Sequence, residues 1–115
     1  MKLPETGTLL RIMIGENDQH QGKPLYEQIV FKAKELNLAG ATVIRGILGF
    51  GADSRIHTAK ILRLSEDLPV VIEIVDREER IQGFLPELDA MLVDGLVTLE
   101  KVRVIKYQGN PEKVS

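Results

Sequence analysis

Residues 70–75 of the chain read Val-Val-Ile-Glu-Ile-Val, and this nearly unbroken aliphatic run decides how the rest of the sequence is organised. A short run rich in β-branched residues and bounded by turn signals is typical of a strand with both faces covered. Leu68-Pro69 precedes the run, and Asp76, a residue type that can cap a helix, follows it directly. The run therefore predicts a strand that leads straight into a helix.

The chain after this strand predicts a helix and then a last strand. Apolar residues at helical spacing form the expected buried stripe of the helix: Ile81, Leu85, Leu88 and Leu92. Pro86 lies inside the stripe and removes one helical hydrogen bond, so we expect a kink or a restart there. Asp94-Gly95 ends the helix, residues 96–106 form the strand, and the polar segment from Gln108 is expected to be loose.

The chain before residues 70–75 predicts two further strands and another helix. Residues 8–14 alternate as a strand with one better-buried face, and residues 41–48 predict a strand in which Gly46 indicates a bulge. Between them, after a polar loop, Pro24 fits the first turn of a helix that Asn37 helps to close. The expected buried stripe of this helix is Leu25, Ile29, Ala33 and Leu36.

The resulting order is strand, helix, strand, strand, helix, strand. Two split βαβ units of this kind predict an α+β, ferredoxin-like βαββαβ fold: a four-stranded antiparallel sheet with two helices on one face. Residues 1–107 are expected to form this single domain, and residues 108–115 a flexible tail. Aliphatic residues on both faces of several strands indicate that the second sheet face is also covered, so we expect a homo-oligomer.

Composition excludes several classes of function. The 115 residues include no cysteine, which excludes a disulfide framework and a thiolate metal site. A net charge of −2 and an aromatic content of 4% argue against nucleic-acid binding. No apolar run approaches the roughly 20 residues of a membrane span, and the N-terminus lacks a signal-peptide pattern. We therefore expect a cytoplasmic protein.

The segment after the second strand predicts an anion site. Gly49-Phe50-Gly51 opens a long polar loop, in which backbone N–H groups can face an anion. Cationic side chains follow in the same loop: Arg55, His57, Lys60 and Arg63. The alternative stays open that the glycines only permit a strand end and a turn with positive φ, and that the cations form a solvated face.

Other polar residues carry two interpretations as well. Glu73, inside an aliphatic strand, needs a partner cation or a hydroxyl and belongs either to a subunit interface or to a binding cleft. Arg103 and Lys106 could bind an anion or simply protect an edge strand from aggregation. His20 and His57 are the only histidines and have no second ligand at motif spacing, so no transition-metal site is expected.

The chain resembles a known family in both the order of its elements and the order of its motifs. It is similar to the PII signalling proteins, and more closely to an uncharacterised PII-like branch with a His-Thr pair and a Leu-Ser-Glu-Asp-Leu-Pro run. The resemblance covers roughly residues 7–107. The residues that carry it are Thr42-Val43, Gly49-Phe50-Gly51, His57-Thr58, Leu64 to Pro69, and Ile72-Glu73-Ile74-Val75.

This resemblance implies a homotrimer of ferredoxin-like subunits that binds ADP or ATP, with or without Mg²⁺, between subunits. A loop, here residues 50–66, would couple the nucleotide to an unidentified protein target. The resemblance implies that Thr42 lies near the adenine and Glu73 at the cleft. It also implies that Gly49 and Gly51 lie near the phosphates, which a neighbouring subunit's Arg103 or Lys106 would reach. Arg55 and His57 complete the expected nucleotide-binding residues.

The sequence departs from the PII pattern at its phosphate-binding positions. Ala52-Asp53 stands where the family has Arg-Gln, and an aliphatic residue, Val70 or Val71, replaces a lysine. The glycine-rich phosphate loop before the last strand is reduced to residues 93–96. Arg55, Lys60 or Arg63 are the cations that could substitute for those missing.

Two other classes of function remain as alternatives. One is a trimeric module that binds an ion or a protein without nucleotide, similar in architecture to divalent-cation-tolerance proteins. The other is an enzyme of the acylphosphatase kind, which the acidic, arginine-free loop at residues 15–19 disfavours. No catalytic motif is present, so we expect a non-catalytic sensor with no covalent cofactor and at most weak nucleotide hydrolysis.

Overall fold

A computed structural model describes residues 5–51 and 67–110 of the chain. This part contains the two expected helices, the four expected strands, and a small hairpin in the segment expected to be a polar loop. In chain order the elements are β1 (Thr6–Gly15), β2 (Gln19–His20), β3 (Lys23–Pro24), α1 (Leu25–Glu35), β4 (Thr42–Arg45), β5 (Pro69–Asp76), α2 (Glu78–Met91) and β6 (Leu96–Arg103).

The four long strands form one antiparallel sheet in the order β4-β5-β1-β6. In the register of the sheet, Ile12 of β1 lies opposite Ile72 of β5 on one side and Val97 of β6 on the other. The first and third long strands are thus central, as a split βαβ repeat requires. The predicted α+β, ferredoxin-like fold is confirmed.

The hydrophobic core lies between the two helices and one face of the sheet. Alternate residues of β1 and β5 supply this covered face, and none of them is more than 6% exposed: Leu10, Ile12, Ile14, Val70, Ile72 and Ile74. They join buried side chains of α1 and α2 in a single cluster. Both helices therefore pack on the same face. Within residues 5–51 and 67–110 no further layer covers the opposite face, which we call the open face.

Helix α1 confirms its predicted stripe except at the last position. Leu25, Ile29 and Ala33 are buried, but Leu36 is the C-cap residue and is exposed. Asn37 adopts the left-handed conformation at φ 60°, and the N–H of Leu38 donates to the carbonyl of Ala33 at 3.0 Å. The helix thus ends at Glu35, and this C-terminal motif reverses the chain directly after Leu36, which stays exposed.

Helix α2 runs through Pro86 without interruption, so the predicted restart is wrong. Pro86 is exposed, and so is Gln82, whose carbonyl loses its helical partner but can bond to water. The residues fully buried by the helix are Ile81, Phe84, Leu88 and Met91, whereas Leu85 and Leu92 pack only at the edge of the core. The buried stripe is therefore rotated from the predicted one by about one residue.

Three further boundaries differ from the sequence predictions. The second long strand ends at Arg45 instead of continuing to residue 48, and the last ends at Arg103 instead of residue 106. Asp76 does not cap α2, because the N-cap residue of this helix is Arg77. The buried carboxylate of Asp76 instead accepts the N–H of Ala39, in the loop after α1, at 2.9 Å.

Among the described residues, no helix has both the length and the apolar content that a membrane crossing needs.

Candidate functional site

A row of polar side chains crosses the open face of the sheet. In the register of the four strands, Thr42 of β4 lies opposite Glu73 of β5, Glu73 opposite Arg11 of β1, and Arg11 opposite Thr98 of β6. We call these four residues the polar row. On the side towards Pro69 it is bordered by an apolar row, which consists of Ile44, Val71, Met13 and Leu96.

The centre of the polar row is an ion pair. Arg11 Nε lies 2.9 Å from Glu73 Oε2, and Arg11 Nη1 lies 3.4 Å from Glu100 Oε1. The prediction that Glu73 needs a partner cation is therefore confirmed. One guanidinium between two carboxylates leaves a net negative charge, so within one chain this group does not form an anion site.

Sequence reasoning missed Arg11 as that partner. Arg11 stands in the first strand, 62 positions from Glu73, and only the antiparallel register of β1 and β5 places the two side by side. The sequence did contain one signal for this pairing, the alternation of apolar and polar residues along each strand. It places Arg11 on the less buried face of β1, as it places Glu73 on the less buried face of β5. Register between distant strands is not visible in such a pattern.

The glycines after β4 approach the ring of Pro69. A Cβ atom at Gly46 would lie 2.8 Å from Pro69 Cγ, and one at Gly49 would lie 2.9 Å from the same atom. Gly46 also donates its N–H to the Pro69 carbonyl at 2.7 Å. Gly49 does not have a positive φ, so that interpretation is wrong; close packing of the backbone against Pro69 explains this glycine.

The turn around Pro69 presents apolar side chains to solvent. Ile47 is 93% exposed, and Leu48 and Phe50 are 66% and 67% exposed. Several large apolar side chains exposed within four residues are typical of a contact surface. Residues 46–51 thus form an apolar turn at the edge of the sheet, and Gly51 is the last residue described before position 67.

The predicted phosphate-binding cations do not meet these residues within one chain. Arg103 ends β6, at the opposite edge of the sheet from β4, and lies 3.5 Å from Glu5 in a largely exposed ion pair. Lys106 follows it in an exposed position. Arg55 and His57, with Lys60, Arg63 and most of the predicted loop 50–66, lie outside the described residues.

The loop after β1 is the other place where carboxylates gather. Asp18 accepts the N–H of Gly15 at 2.9 Å, and Asp67 accepts the N–H of Asn17 at 3.2 Å. Glu16 pairs with Arg45 at 3.1 Å. These carboxylates are occupied in shaping the loop, and no group of side chains suited to a metal ion lies within residues 5–51 and 67–110.

Comparison with known proteins assigns the chain to a family. Residues 7–104 match the profile of DUF190, described as "Uncharacterized ACR". A UPF0166 protein of Aquifex aeolicus (strain VF5) is 46% identical over 97 residues, which are 84% of this chain and 91% of the relative. A UPF0166 protein of Methanocaldococcus jannaschii is 37% identical over 99 residues, 85% of this chain and 91% of the relative. The chain therefore belongs to the DUF190 family.

Solved structures with the same fold come from a more distant protein. CPII of Thiomonas intermedia K12, in a structure bound to ADP and bicarbonate, superimposes with a TM-score of 0.56 at 18% identity and covers 88% of this chain and 90% of that one. A second CPII structure, bound to ADP, AMP and acetate, gives a TM-score of 0.53 at 18% identity, with the same coverage. At this identity the likeness shows a shared fold.

Proposed function

We propose that this chain is a PII-like regulatory protein that binds ADP or ATP at the interfaces of a homotrimer and passes the signal to a partner protein without catalysing a reaction. The observation that carries the proposal is the pairing of Thr42 with Glu73 on the open face. The sequence resemblance names these two residues for the adenine and for the cleft. The fold that CPII shares, in structures that hold ADP, supports the same interpretation.

The placement of the remaining candidate residues supports a site completed by another subunit. Thr42 and Gly49 belong to the β4 edge of the sheet, whereas Arg103 ends β6 at the opposite edge. One ligand can contact Thr42 and Arg103 together only where the β4 edge of one copy meets the β6 edge of the next. A head-to-tail contact of this kind closes into a ring when the rotation allows it, as it does in a trimer.

The phosphate end of the proposed site depends on cations outside the described residues. Arg55, His57, Lys60 and Arg63 follow Gly51 in sequence, and together with Arg103 and Lys106 they would supply the positive charge that a polyphosphate needs. The polar row alone does not supply it, because Arg11 is already shared by Glu73 and Glu100. Mg²⁺ would accompany the nucleotide as part of the ligand.

A second candidate is a module that binds a protein without nucleotide. The apolar turn at residues 46–51 favours it, because Ile47, Leu48 and Phe50 are largely exposed on the described part of the chain. Buried apolar anchors supply much of the affinity of protein interfaces. On this alternative the open face would still assemble the oligomer, and the turn would be the docking surface.

Titration calorimetry separates the two candidates. Protein whose mass in solution has been fixed by light scattering is titrated with ADP and with ATP, each with and without Mg²⁺. We expect about one site per subunit. Glu73→Gln should weaken ADP binding by about tenfold or more, because it removes a charged acceptor from the site. Glu78→Gln, the same change at an exposed position in the first turn of α2, is the matched control and should leave affinity unchanged.

Absence of heat in all four titrations of a folded oligomer would contradict nucleotide binding and leave the protein-binding module. Equal affinity of the Glu73→Gln protein and the wild type would move the site away from the polar row. Phosphate release measured in parallel, with ATP in excess, should stay at the rate of buffer alone if the protein is a sensor.

A further inference from the structure

The chain after β6 is attached to the sheet beyond the last residue of the strand. We call residues 104–110 the C-terminal strap. The N–H of Val104 donates to the carbonyl of Glu5 at 2.6 Å, which extends the pairing with the β1 side by one residue. The strap therefore leaves the sheet at the same end at which β5 finishes with Asp76.

The strap crosses the start of β1 at close range. A Cβ atom at Gly7 would lie 3.2 Å from Val104 Cγ2 and 3.3 Å from the carbonyl oxygen of Asp76. A side chain at this position would require Val104 or its neighbours to shift by a few tenths of an ångström. Gly7 thus lets the strap lie directly against the end of the central strands.

The far end of the strap binds the loop between α1 and β4. Tyr107 donates its hydroxyl proton to the carbonyl of Ala39, with an O–O distance of 2.6 Å. The N–H of Ala39 donates to Asp76 Oδ2 at 2.9 Å, and the Asp76 side chain is fully buried. Both backbone groups of Ala39 are therefore taken by residues far away in sequence.

Arg80 of α2 holds the beginning of this loop. Its Nε lies 3.2 Å from Asp76 Oδ2, and its guanidinium also donates to the carbonyls of Leu36 and Asn37 at the end of α1. The first half of the loop is thus fixed by a buried carboxylate and a guanidinium. The contact with Tyr107 is of a different kind, because it joins two neutral groups at an exposed tyrosine.

We propose that the C-terminal strap is a latch on the α1–β4 loop, with the Tyr107–Ala39 hydrogen bond as its catch, and that its closure and ligand binding beside Thr42 favour each other. This inference rests on the proposed nucleotide site. Thr42 begins β4 only three residues after Ala39, so a ligand that fixes Thr42 also orders the carbonyl that Tyr107 binds. Such a coupling acts equally in both directions.

The latch also determines where Lys106 lies. Lys106 precedes Tyr107 directly, so closure of the latch holds this cation near the α1–β4 loop of its own subunit. Opening would release Lys106 and the apolar Ile105, which is already 83% exposed. Because one hydrogen bond between neutral groups shifts an equilibrium by about tenfold or less, the latch is weak enough to respond to a ligand.

The test compares two tyrosine hydroxyls. Tyr107→Phe removes the catch and keeps the ring, whereas Tyr26→Phe removes a hydroxyl from a ring that packs beside the core and serves as the matched control. ADP affinity is measured by calorimetry, and hydrogen exchange of the peptides covering residues 36–42 and 104–110 is measured with and without ADP. Circular dichroism and thermal melting establish that both variants fold.

We expect ADP to bind Tyr107→Phe about two- to tenfold more weakly than the wild type, since the closed latch is populated less in the free variant. Tyr26→Phe should bind normally. ADP should slow exchange of residues 104–110 in the wild type and have a smaller effect in Tyr107→Phe.

The outcomes distinguish the latch from the site itself. Failure of ADP to bind the folded wild type overturns the proposed nucleotide site and the coupling that rests on it. If the wild type and Tyr107→Phe bind ADP equally well and residues 104–110 exchange hydrogen at the same rates in both proteins, the latch is overturned and the nucleotide site stays in place.

Discussion

The covered and open faces of the sheet are made from alternate residues of the same strands, yet in the two central strands the covered face is uniformly buried and the open face also carries charged side chains. On the covered face the aliphatic side chains of β1 and β5 are almost completely buried. On the open face of the same two strands, Arg11 and Glu73 form an ion pair whose side chains are 32% and 33% exposed. The difference teaches that one face can supply the stability while the other carries residues suited to recognition.

The physical basis is the twofold period of a strand. Adjacent residues point to opposite faces, so each face can be optimised without changing the other. A buried aliphatic side chain contributes about 1.5–3 kcal/mol through removal of apolar area from water. A half-exposed ion pair contributes about 1 kcal/mol or less to the free energy of unfolding. The polar row therefore adds little to the stability of the fold, so its role is one other than stabilisation.

The largest expected loss of stability distinguishes two neighbouring residues of β1, one on each face of the sheet. Ile12→Ala leaves a cavity on the covered face and should lower the free energy of unfolding by about 2–5 kcal/mol. Met13→Ala, one residue further on the open face, should cost about 1 kcal/mol or less in a monomer, because Met13 is already partly exposed. Urea unfolding at several protein concentrations measures both.

A cost for Met13→Ala as large as that for Ile12→Ala, together with an unfolding midpoint that depends on concentration, would mean that another copy covers the open face. If the two substitutions lower the free energy of unfolding equally and the midpoint does not depend on protein concentration, the two faces do not differ in their contribution to stability.

A smaller loss of stability should distinguish the two carboxylates of β5, one on each face of the sheet. Asp76→Asn removes a fully buried charge that faces Arg80 and should cost about 1–3 kcal/mol. Glu73→Gln, on the open face, should cost less than about 1 kcal/mol of stability while weakening nucleotide binding. Thermal unfolding and calorimetry on the same two proteins give both quantities. A Glu73→Gln protein that loses stability but keeps ADP affinity would assign Glu73 to structure alone.

The smallest loss of stability expected for an aliphatic residue of the covered face, that of Leu99→Ala, should show where this face ends. Leu99 of β6 lies opposite Leu10 of β1 on the same face, but it is 42% exposed, whereas Leu10 is fully buried. Leu99→Ala should therefore cost about 1 kcal/mol, compared with about 2–5 kcal/mol for Leu10→Ala. Denaturant titration of the two variants measures both losses in the free energy of unfolding. Equal costs would show that the flank of β6 is buried by a neighbouring copy.

The sequence allowed most elements to be predicted, because their signals are local. The aliphatic run at residues 70–75 and the stripe Leu25, Ile29, Ala33 both lie in the elements assigned to them. The errors fall where a distant contact acts. Pro86 stays inside α2 because the helix packs on the core on either side of it, and β4 stops at Arg45 because the chain then turns around Pro69.

The candidate site was predictable only in part. Glu73 was singled out because a charge inside an aliphatic strand needs a partner, and that partner exists. Gly49 was singled out for its position after a strand, but its structural role is close packing against Pro69 and not a positive φ. The hydrogen bond of Tyr107 gave no signal in the sequence, since one tyrosine after the last strand is compatible with many structures.

The sequence by itself determined the order of the two helices and the four long strands and most residues of the core, since hydrophobic periodicity reports burial within a segment. Only the tertiary structure decided which residues meet across segments: Arg11 with Glu73, Gly49 with Pro69, and Tyr107 with Ala39. These contacts depend on strand register and on the path of the chain between elements. Both are set when the whole sheet forms, because a shift of one residue would move a strand's side chains to the other face.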